Sequence, residues 1–314
     1  MSVKGKSTLV TGAAGFIGSH LAQHLLEDGA YVRGLDNFES GHQDNLQPFV
    51  DRDGFEFEEG DLREVDTVES VMDGIDYVFH QGALTSVPRS INDPLLTTES
   101  NCIGTTNLLK AANNEGVDKV IVASSAAVYG SNEELPKHED MPVNPESPYA
   151  LSKYWTEQLA VQFANLYGLE TIALRYFNVF GPRQDPTSDY AAVIPKFISL
   201  MFDSERPPIY GDGEQSRDFT YIEDIVQANI NASLTNTSNR VLNVASGEQT
   251  TVNELVDKLN EILSTDIEPR YLEPRSGDVR HSFADISRAR EEIGYDPKFS
   301  LEDGLVKTIE SFGK

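Results

Sequence analysis

The sequence predicts an α/β protein: a doubly wound, mainly parallel sheet with a smaller α/β lobe interleaved into it. Two observations carry this. Short apolar runs alternate with helix-period segments through the first half, and the first run passes through a glycine-rich turn into a helix. The 314 residues are material for about two domains. Ser7-Thr8-Leu9-Val10-Thr11 reads as a buried strand. Phe16 to Asp28 reads as a helix, because Ile17, Leu21, Leu25 and Leu26 recur at helical spacing. Tyr31 to Leu35 is a second strand, ending at Asp36. Phe55 to Glu59, Tyr77 to His80, Lys119 to Ala123 and Thr171 to Leu174 are further strands. Helices lie between most of them, notably Pro94 to Asn114 and Pro148 to Tyr167. After Arg175 the rhythm breaks, with proline and glycine at Gly181-Pro182-Arg183 and from Pro207 to Gly213. Helical stretches at Ala191 to Phe202, Ile222 to Leu234 and Val252 to Leu263 are separated by loops, and Val241 to Val244 returns to the large sheet. The second half is expected over the sheet's carboxyl edge, where ligands of open α/β sheets bind.

The composition excludes several classes of function. Against 25 Lys and Arg stand 51 Asp and Glu, a net charge of −26. A uniformly acidic surface repels phosphate backbones, so no nucleic-acid partner is expected. No run approaches the ~20 apolar residues of a membrane span. Met1 to Lys6 lead directly into the first strand and leave no room for a signal peptide. A single cysteine, Cys102, excludes an intramolecular disulfide framework and a multi-cysteine metal site. A cytoplasmic protein is expected. The acidity reads as a solvated surface that maintains solubility, or as adaptation to a salt-rich cytoplasm where screening weakens carboxylate repulsion; the charge balance favours the second. His20 and His24 lie one turn apart with no evident third ligand, so they read as helix-surface residues and no metal site is expected. Trp155 reads as a packing residue and Cys102 as a small buried hydrophobe.

Gly12-Ala13-Ala14-Gly15-Phe16-Ile17-Gly18 joins the first strand to the first helix, as in a Rossmann-like unit. Gly12 permits a tight turn, Gly15 lets backbone N–H groups approach a pyrophosphate, and Gly18 lets the helix pack closely on the sheet. A glycine triplet alone is only a turn. Here Asp36 ends the next strand, where it can accept from both ribose hydroxyls and would repel a 2′-phosphate, so NAD rather than NADP is expected.

Tyr149-Ala150-Leu151-Ser152-Lys153 opens a helix, and the i,i+4 spacing puts phenol and amine on one face. A phenol with a pKa near 10 is a poor base at neutral pH. A neighbouring ammonium and a cationic nicotinamide both favour the phenolate. Tyr-x-x-x-Lys alone is an ordinary surface pair. Ser124-Ser125 at the end of the preceding strand brings a hydroxyl to the same edge and makes the constellation specific.

With these motifs the chain resembles the extended short-chain dehydrogenase/reductase family, specifically its nucleotide-sugar epimerases. The resemblance runs over Gly12 to Gly18, Asp61-Leu62, His80 to Ala83, Ser124 to Gly130, Tyr149 and Lys153. It continues through Arg175 to Pro182, Arg217-Asp218-Phe219 and Arg275 to Asp278. It implies a catalytic hydroxyl at Ser125, an acid/base at Tyr149, and Lys153 holding the nicotinamide ribose and tuning Tyr149. It places Asp61 and Leu62 near adenine and Asn101 in support of the cofactor pocket. Further cofactor contacts are implied at Phe16, Ile17, Asn37, Gln81, Ala83 and Tyr176. Residues 1–178 with 218–248 become the NAD-binding domain, and 179–217 with 249–314 a UDP-sugar lobe. The implied reaction removes the sugar C4 hydrogen as hydride to NAD, turns the 4-keto sugar over, and returns the hydride to its other face. NAD remains a bound prosthetic group.

Related dehydratases and decarboxylases carry carboxyl residues directly after the catalytic hydroxyl. Ala126-Ala127 stand there and can act as neither acid nor base, which leaves plain 4-epimerisation. The resemblance puts Asn178 at the diphosphate or sugar, Val193 and Ile194 against uracil, and Tyr210 in the substrate pocket. Arg217 and Arg275 clamp the diphosphate, with Asp278 at the uridine ribose. Two planar donor forks suit an anion, although surface pairing with the many acids is their plainer reading. Seven residues after Arg275, where the family's plain-hexose enzymes carry a bulky Tyr, stands Ser282, leaving space for an N-acetyl group. The stretches around Ser86 to Ser90 and Gln184 to Pro186 also resemble the N-acetyl-sugar subgroup. UDP-N-acetylglucosamine is therefore the expected substrate. UDP-glucose and a UDP-uronic acid, its carboxylate met by Arg89, stay open, as does a non-catalytic NAD-binding sensor, against which Tyr149 and Lys153 stand. A homodimer packed through Pro94 to Asn114 and Pro148 to Tyr167 is implied by resemblance.

Overall fold

In the computed structural model, which describes residues 2–186, 192–274 and 279–312, the first strand β1 (Ser7–Thr11) is buried almost throughout, because helices cover both faces of its sheet. α1 (Phe16–Glu27) follows and buries Leu21, Ala22 and Leu25. The alternation continues with β2 (Tyr31–Asp36), β3 (Phe55–Glu59), α2 (Val65–Ser70), β4 (Tyr77–His80), α3 (Val87–Asn92) and α4 (Pro94–Thr98). Then come α5 (Gly104–Glu115), β5 (Lys119–Ser125), α6 (Pro148–Tyr167) and β6 (Glu170–Tyr176). Shorter pieces succeed them: β7 (Val179–Phe180), α7 (Val193–Phe202), β8 (Pro208–Tyr210), β9 (Ser216–Arg217) and β10 (Thr220–Tyr221). α8 (Ile222–Leu234) leads to β11 (Arg240–Val244). The chain then forms β12 (Thr250–Thr251), α9 (Val252–Leu263), β13 (Arg270–Leu272), β14 (His281–Ser282), α10 (Ser287–Ile293) and α11 (Leu301–Phe312).

The main sheet has seven strands in the order β11-β6-β5-β4-β1-β2-β3, all parallel. The chain moves outward from β1 to β3, then returns beside β1 with β4 and runs the other way. This reversal opens a crevice at the carboxyl ends of β1 and β4. Three small sheets lie beyond it: β10 with β7, β12-β9-β14, and β13 with β8. α10 packs against β11 and α8, on the side of the large sheet.

Local chemistry sets the helix that bears the Tyr and Lys pair. Ser147 caps α6 by accepting from the Ala150 N–H at 3.1 Å, Pro148 occupies the first turn, and Gly168 at φ 78° ends it. Four expectations are refined. The helix expected from Pro94 to Asn114 is present and runs through a π-helical turn at Glu99–Ile103, between α4 and α5. Asn101 in that turn is committed to tertiary bonds, accepting from Leu84 N at 2.8 Å and donating to Leu84 O at 3.0 Å, which periodicity does not register. His20 is only partly exposed. Its Nε2–H donates to the Pro182 carbonyl at 2.9 Å, its ring meets Phe16 edge-on, and burial pushes its pKa down to about 3. Trp155, expected in packing, is 51 % exposed, and Cys102 is only half-buried. No described helix is long and apolar enough to cross a membrane.

Candidate active site

The turn after β1 is dictated by close approach. Gly12 takes φ +68°, and a Cβ there would lie 2.8 Å from the Gly82 nitrogen; one on Gly18 would lie 2.0 Å from the Gly12 carbonyl oxygen. α1 starts with no side-chain cap at Gly15 and no acidic residue in its first turn, which includes Phe16, Ile17 and Gly18. Its leading N–H groups and the helix dipole therefore suit a pyrophosphate. Asp36, at the end of β2, is buried and accepts from Ala14 N at 3.0 Å and Phe38 N at 2.8 Å. Burial raises its pKa, and these N–H groups oppose the rise. Its remaining lone pairs are what a ribose diol would use. The residues thus fit a dinucleotide.

Neighbouring side chains are already ordered around this crevice. Asn37 donates to Asp61 at 2.8 Å, and Arg63 grips Asp61 through two bonds that hold its pKa down at about 2. Leu62 lies against Gly82 and Gly104. Gln81 donates to Asn229 at 3.1 Å, and the Asn229 amide donates to the Tyr176 hydroxyl at 2.8 Å; burial pushes that phenol up to about 12. Ala83 stands partly exposed beside them.

At the end of β5 the structure brings together the three residues the sequence singled out. The Tyr149 phenol lies where it interacts with Ser125, whose Oγ accepts from Ala127 N at 3.2 Å. Lys153, one turn along α6, is buried and donates to the Ala123 carbonyl at 3.0 Å. The protein's own surroundings oppose the phenolate. Burial raises the Tyr149 pKa, with Ser125 opposing the rise, and burial lowers that of Lys153 to about 8. Desolvation disfavours both charged forms, and spacing along a helix carries no information about it.

Apart from Asn101, expected beside the cofactor, sequence reasoning assigned no role to the residues that hold this group. The Ser90 hydroxyl accepts from Tyr149 N at 3.1 Å. Asn101 donates to Ser152 at 2.9 Å, and Ser152 donates to the Tyr149 carbonyl at 2.8 Å. His80 is buried between Thr11 and Thr105, at 2.8 and 2.9 Å, with its pKa pushed down to about 3. The available signal was a polar residue on the buried face of a strand or helix.

On the lobe side, β14 pairs with β9 so that Ser282 lies in register with Arg217. The Arg217 guanidinium donates to the carbonyls of Ser216 at 2.8 Å and Arg280 at 3.3 Å. Beside it, buried Asp218 accepts from Ser246 N and Oγ, Gly247 N and Ala284 N, fastening these segments together; burial raises its pKa to about 6. Asn178 is exposed just before β7, Val193 and Ile194 open α7, and Tyr210 ends β8. Ser86 caps α3, accepting from Arg89 N at 3.2 Å. Arg89, read as a cation for a uronate, has its guanidinium on Glu39. Arg275 and Asp278 lie outside the described residues.

Hydroxyl, phenol and buried amine gathered beside a glycine turn mark a dinucleotide-dependent enzyme of the short-chain dehydrogenase/reductase class. The family model described as GDP-mannose 4,6 dehydratase matches residues 9–308, and the chain belongs to that family of nucleotide-sugar dehydratases and epimerases. The UDP-glucose 4-epimerase of Mycolicibacterium smegmatis is 39 % identical over 307 residues, 97 % of this chain and 98 % of the relative. The structure of a UDP-N-acetylglucosamine 4-epimerase from Methanobrevibacter ruminantium, in complex with UDP-N-acetylmuramic acid, is similar with a TM-score of 0.95 at 43 % identity, over 98 % of both chains. The UDP-glucose 4-epimerase of Thermus thermophilus, solved in complex with NAD, has a TM-score of 0.88 at 34 % identity, again over 98 % of both chains.

Proposed function

We propose that the chain is an NAD-dependent UDP-sugar 4-epimerase whose substrate pair is UDP-N-acetylglucosamine and UDP-N-acetylgalactosamine. The observation that carries the chemistry is the meeting of the Tyr149 phenol with Ser125 at the end of β5, one helical turn from buried Lys153. NAD supplies a reversible acceptor for the C4 hydride. Tyr149 takes the proton of the sugar 4-hydroxyl and later returns it, while Ser125 bridges the two oxygens. Lys153 holds the nicotinamide ribose and supplies positive charge near the phenol. Burial opposes the phenolate, so that charge and the oxidised nicotinamide have to lower the phenol's pKa. Ala126 and Ala127 follow Ser125 with no carboxyl to protonate or deprotonate a second carbon. That favours epimerisation over dehydration.

The sugar assignment rests on Ser282. Its small side chain, in register with Arg217, leaves room for a 2-N-acetyl group beside a diphosphate held by Arg217. Gly12, Gly15, Gly18, Asp36 and Asp61 belong to the cofactor side in this reading. Asn178, Val193, Ile194, Tyr210, Arg275 and Asp278 belong to the nucleotide-sugar side. Residues 1–178 with 218–248 bind the dinucleotide, and the remainder forms the substrate lobe. Exposed Ile91, Leu95, Leu151 and Trp155 on the packed helices α3, α4 and α6 make the face through which two copies associate.

The test is an epimerisation assay without added cofactor, in high and low salt, offering UDP-N-acetylglucosamine, UDP-glucose and the N-acetylated uronate separately, with C4 epimers resolved by NMR. Fastest turnover of the first, maintained at high salt, is expected. A faster uronate would overturn the sugar assignment and leave the chemistry standing.

A further inference from the structure

We infer that Glu157 is a positioning residue for the reaction, a single buried carboxylate that fixes Ser125 and Tyr149 relative to each other; this rests on the function proposed above. Tyr149, Lys153 and Glu157 succeed one another at four-residue intervals along α6, so Glu157 continues the face that carries the proton chemistry. Its side chain is fully buried and makes every contact with the sheet side. Arg175 on β6 donates to it twice, at 3.0 and 2.6 Å, and Ser124 donates at 2.9 Å.

These partners are not arbitrary places in the sheet. Ser124 immediately precedes Ser125 on β5. Arg175 also donates at 2.9 Å to the hydroxyl of Tyr129, and its guanidinium sits over the Tyr129 ring, 4.8 Å from the centroid. Tyr129 lies in the 3₁₀ turn that Ser125 caps, and it donates in turn to Asn243 on β11 at 2.7 Å. The strand before Ser125 and the turn after it are therefore tied through the same carboxylate to the helix bearing Tyr149. A purely cohesive ion pair needs none of this convergence. A buried pair also costs desolvation that apolar residues of similar volume avoid, so cohesion alone is a weak reason for it. A displacement between β5 and α6 carries Ser125 away from the Tyr149 phenol and weakens the interaction that opposes the rise of the phenol's pKa.

The experiment compares wild type, Ser124→Ala, Glu157→Gln and the apolar double variant Glu157→Leu/Arg175→Met, each saturated with NAD. Thermal unfolding, kcat and KM for the UDP-sugar that turns over fastest, and the pH dependence of kcat are measured. The Tyr149 phenol is titrated by ultraviolet difference against Tyr149→Phe in each background. The double variant leaves no charge stranded and keeps its unfolding temperature. Its kcat is expected to fall on the order of tenfold or more with KM nearly constant, because misplacement acts on the reacting geometry rather than on binding. Its phenol titration and the acid limb of kcat should move together to higher pH. Wild-type kcat and titration in the folded double variant would overturn the inference and leave the pair merely structural. If Glu157→Gln and the double variant do not fold, Ser124→Ala, which keeps the ion pair, decides by the same signature, with an unchanged titration overturning the inference. If wild type turns over no UDP-sugar, the proposed function fails, and the Tyr149 titration still decides the positioning role.

Discussion

The large sheet and the lobe above it are built to different standards. Strands β1, β4, β5 and β6 have four to seven residues with most positions buried, and Ser125 and Tyr149 stand at the ends of two long elements, β5 and α6. In the lobe, Arg217 and Ser282 stand on two-residue strands and Tyr210 on one of three. The proposed chemistry, which depends on distances of a few tenths of an ångström, sits where backbone bonds and close packing hold it. In the proposed reading, recognition of the sugar sits on short pairings that tolerate substitution.

Four changes would break or sharpen this contrast. The largest effect is expected from Tyr149→Phe, which should lower kcat by about 10²–10⁴-fold while NAD and UDP-sugar still bind; steady-state kinetics with parallel binding titrations check it. Next is Ser282→Tyr, expected to reduce kcat/KM for UDP-N-acetylglucosamine on the order of 10²-fold and to spare UDP-glucose, measured by NMR assay of both sugars. A sheet-side residue supplies the third. His80 has a folded pKa near 3 against 6.5 as its ordinary value. The unfolded chain binds the extra proton between those values, so stability present above pH 6.5 is lost as pH falls toward 3. His80→Gln should cost about 1–2 kcal/mol at pH 7 by weakening the Thr11 and Thr105 bonds. It should also flatten the acid slope in denaturant titrations below pH 6.5. The smallest belongs to the surface pair Arg89–Glu39. Arg89→Ala should change stability by less than about 1 kcal/mol. Relative kcat/KM for the N-acetylated uronate and UDP-N-acetylglucosamine should stay the same, because that guanidinium is already engaged. Selective loss of uronate turnover would give Arg89 the substrate role.

Much of the site was legible because its signals are local. Gly12, Gly15 and Gly18 lie within one turn and helix start, Asp36 ends the next strand, and Tyr149 and Lys153 share one helical face. Parallel β-α alternation fixes which strand ends meet, so Ser125 falls beside them once the topology is known. The acidic composition is likewise read from the sequence alone. Tertiary structure alone decided which polar side chains are removed from water and which partners receive them. Glu157 and Arg175 are 18 residues apart in the chain, Tyr129 and Asn243 are 114 apart, and Asp218 gathers donors from two distant loops. The π turn at Asn101, the direction of the Tyr149 and Lys153 pKa shifts and the engagement of Arg89 follow from the same cause. Desolvation and long-range hydrogen bonding depend on how elements pack, and neither leaves a period or a spacing in the sequence.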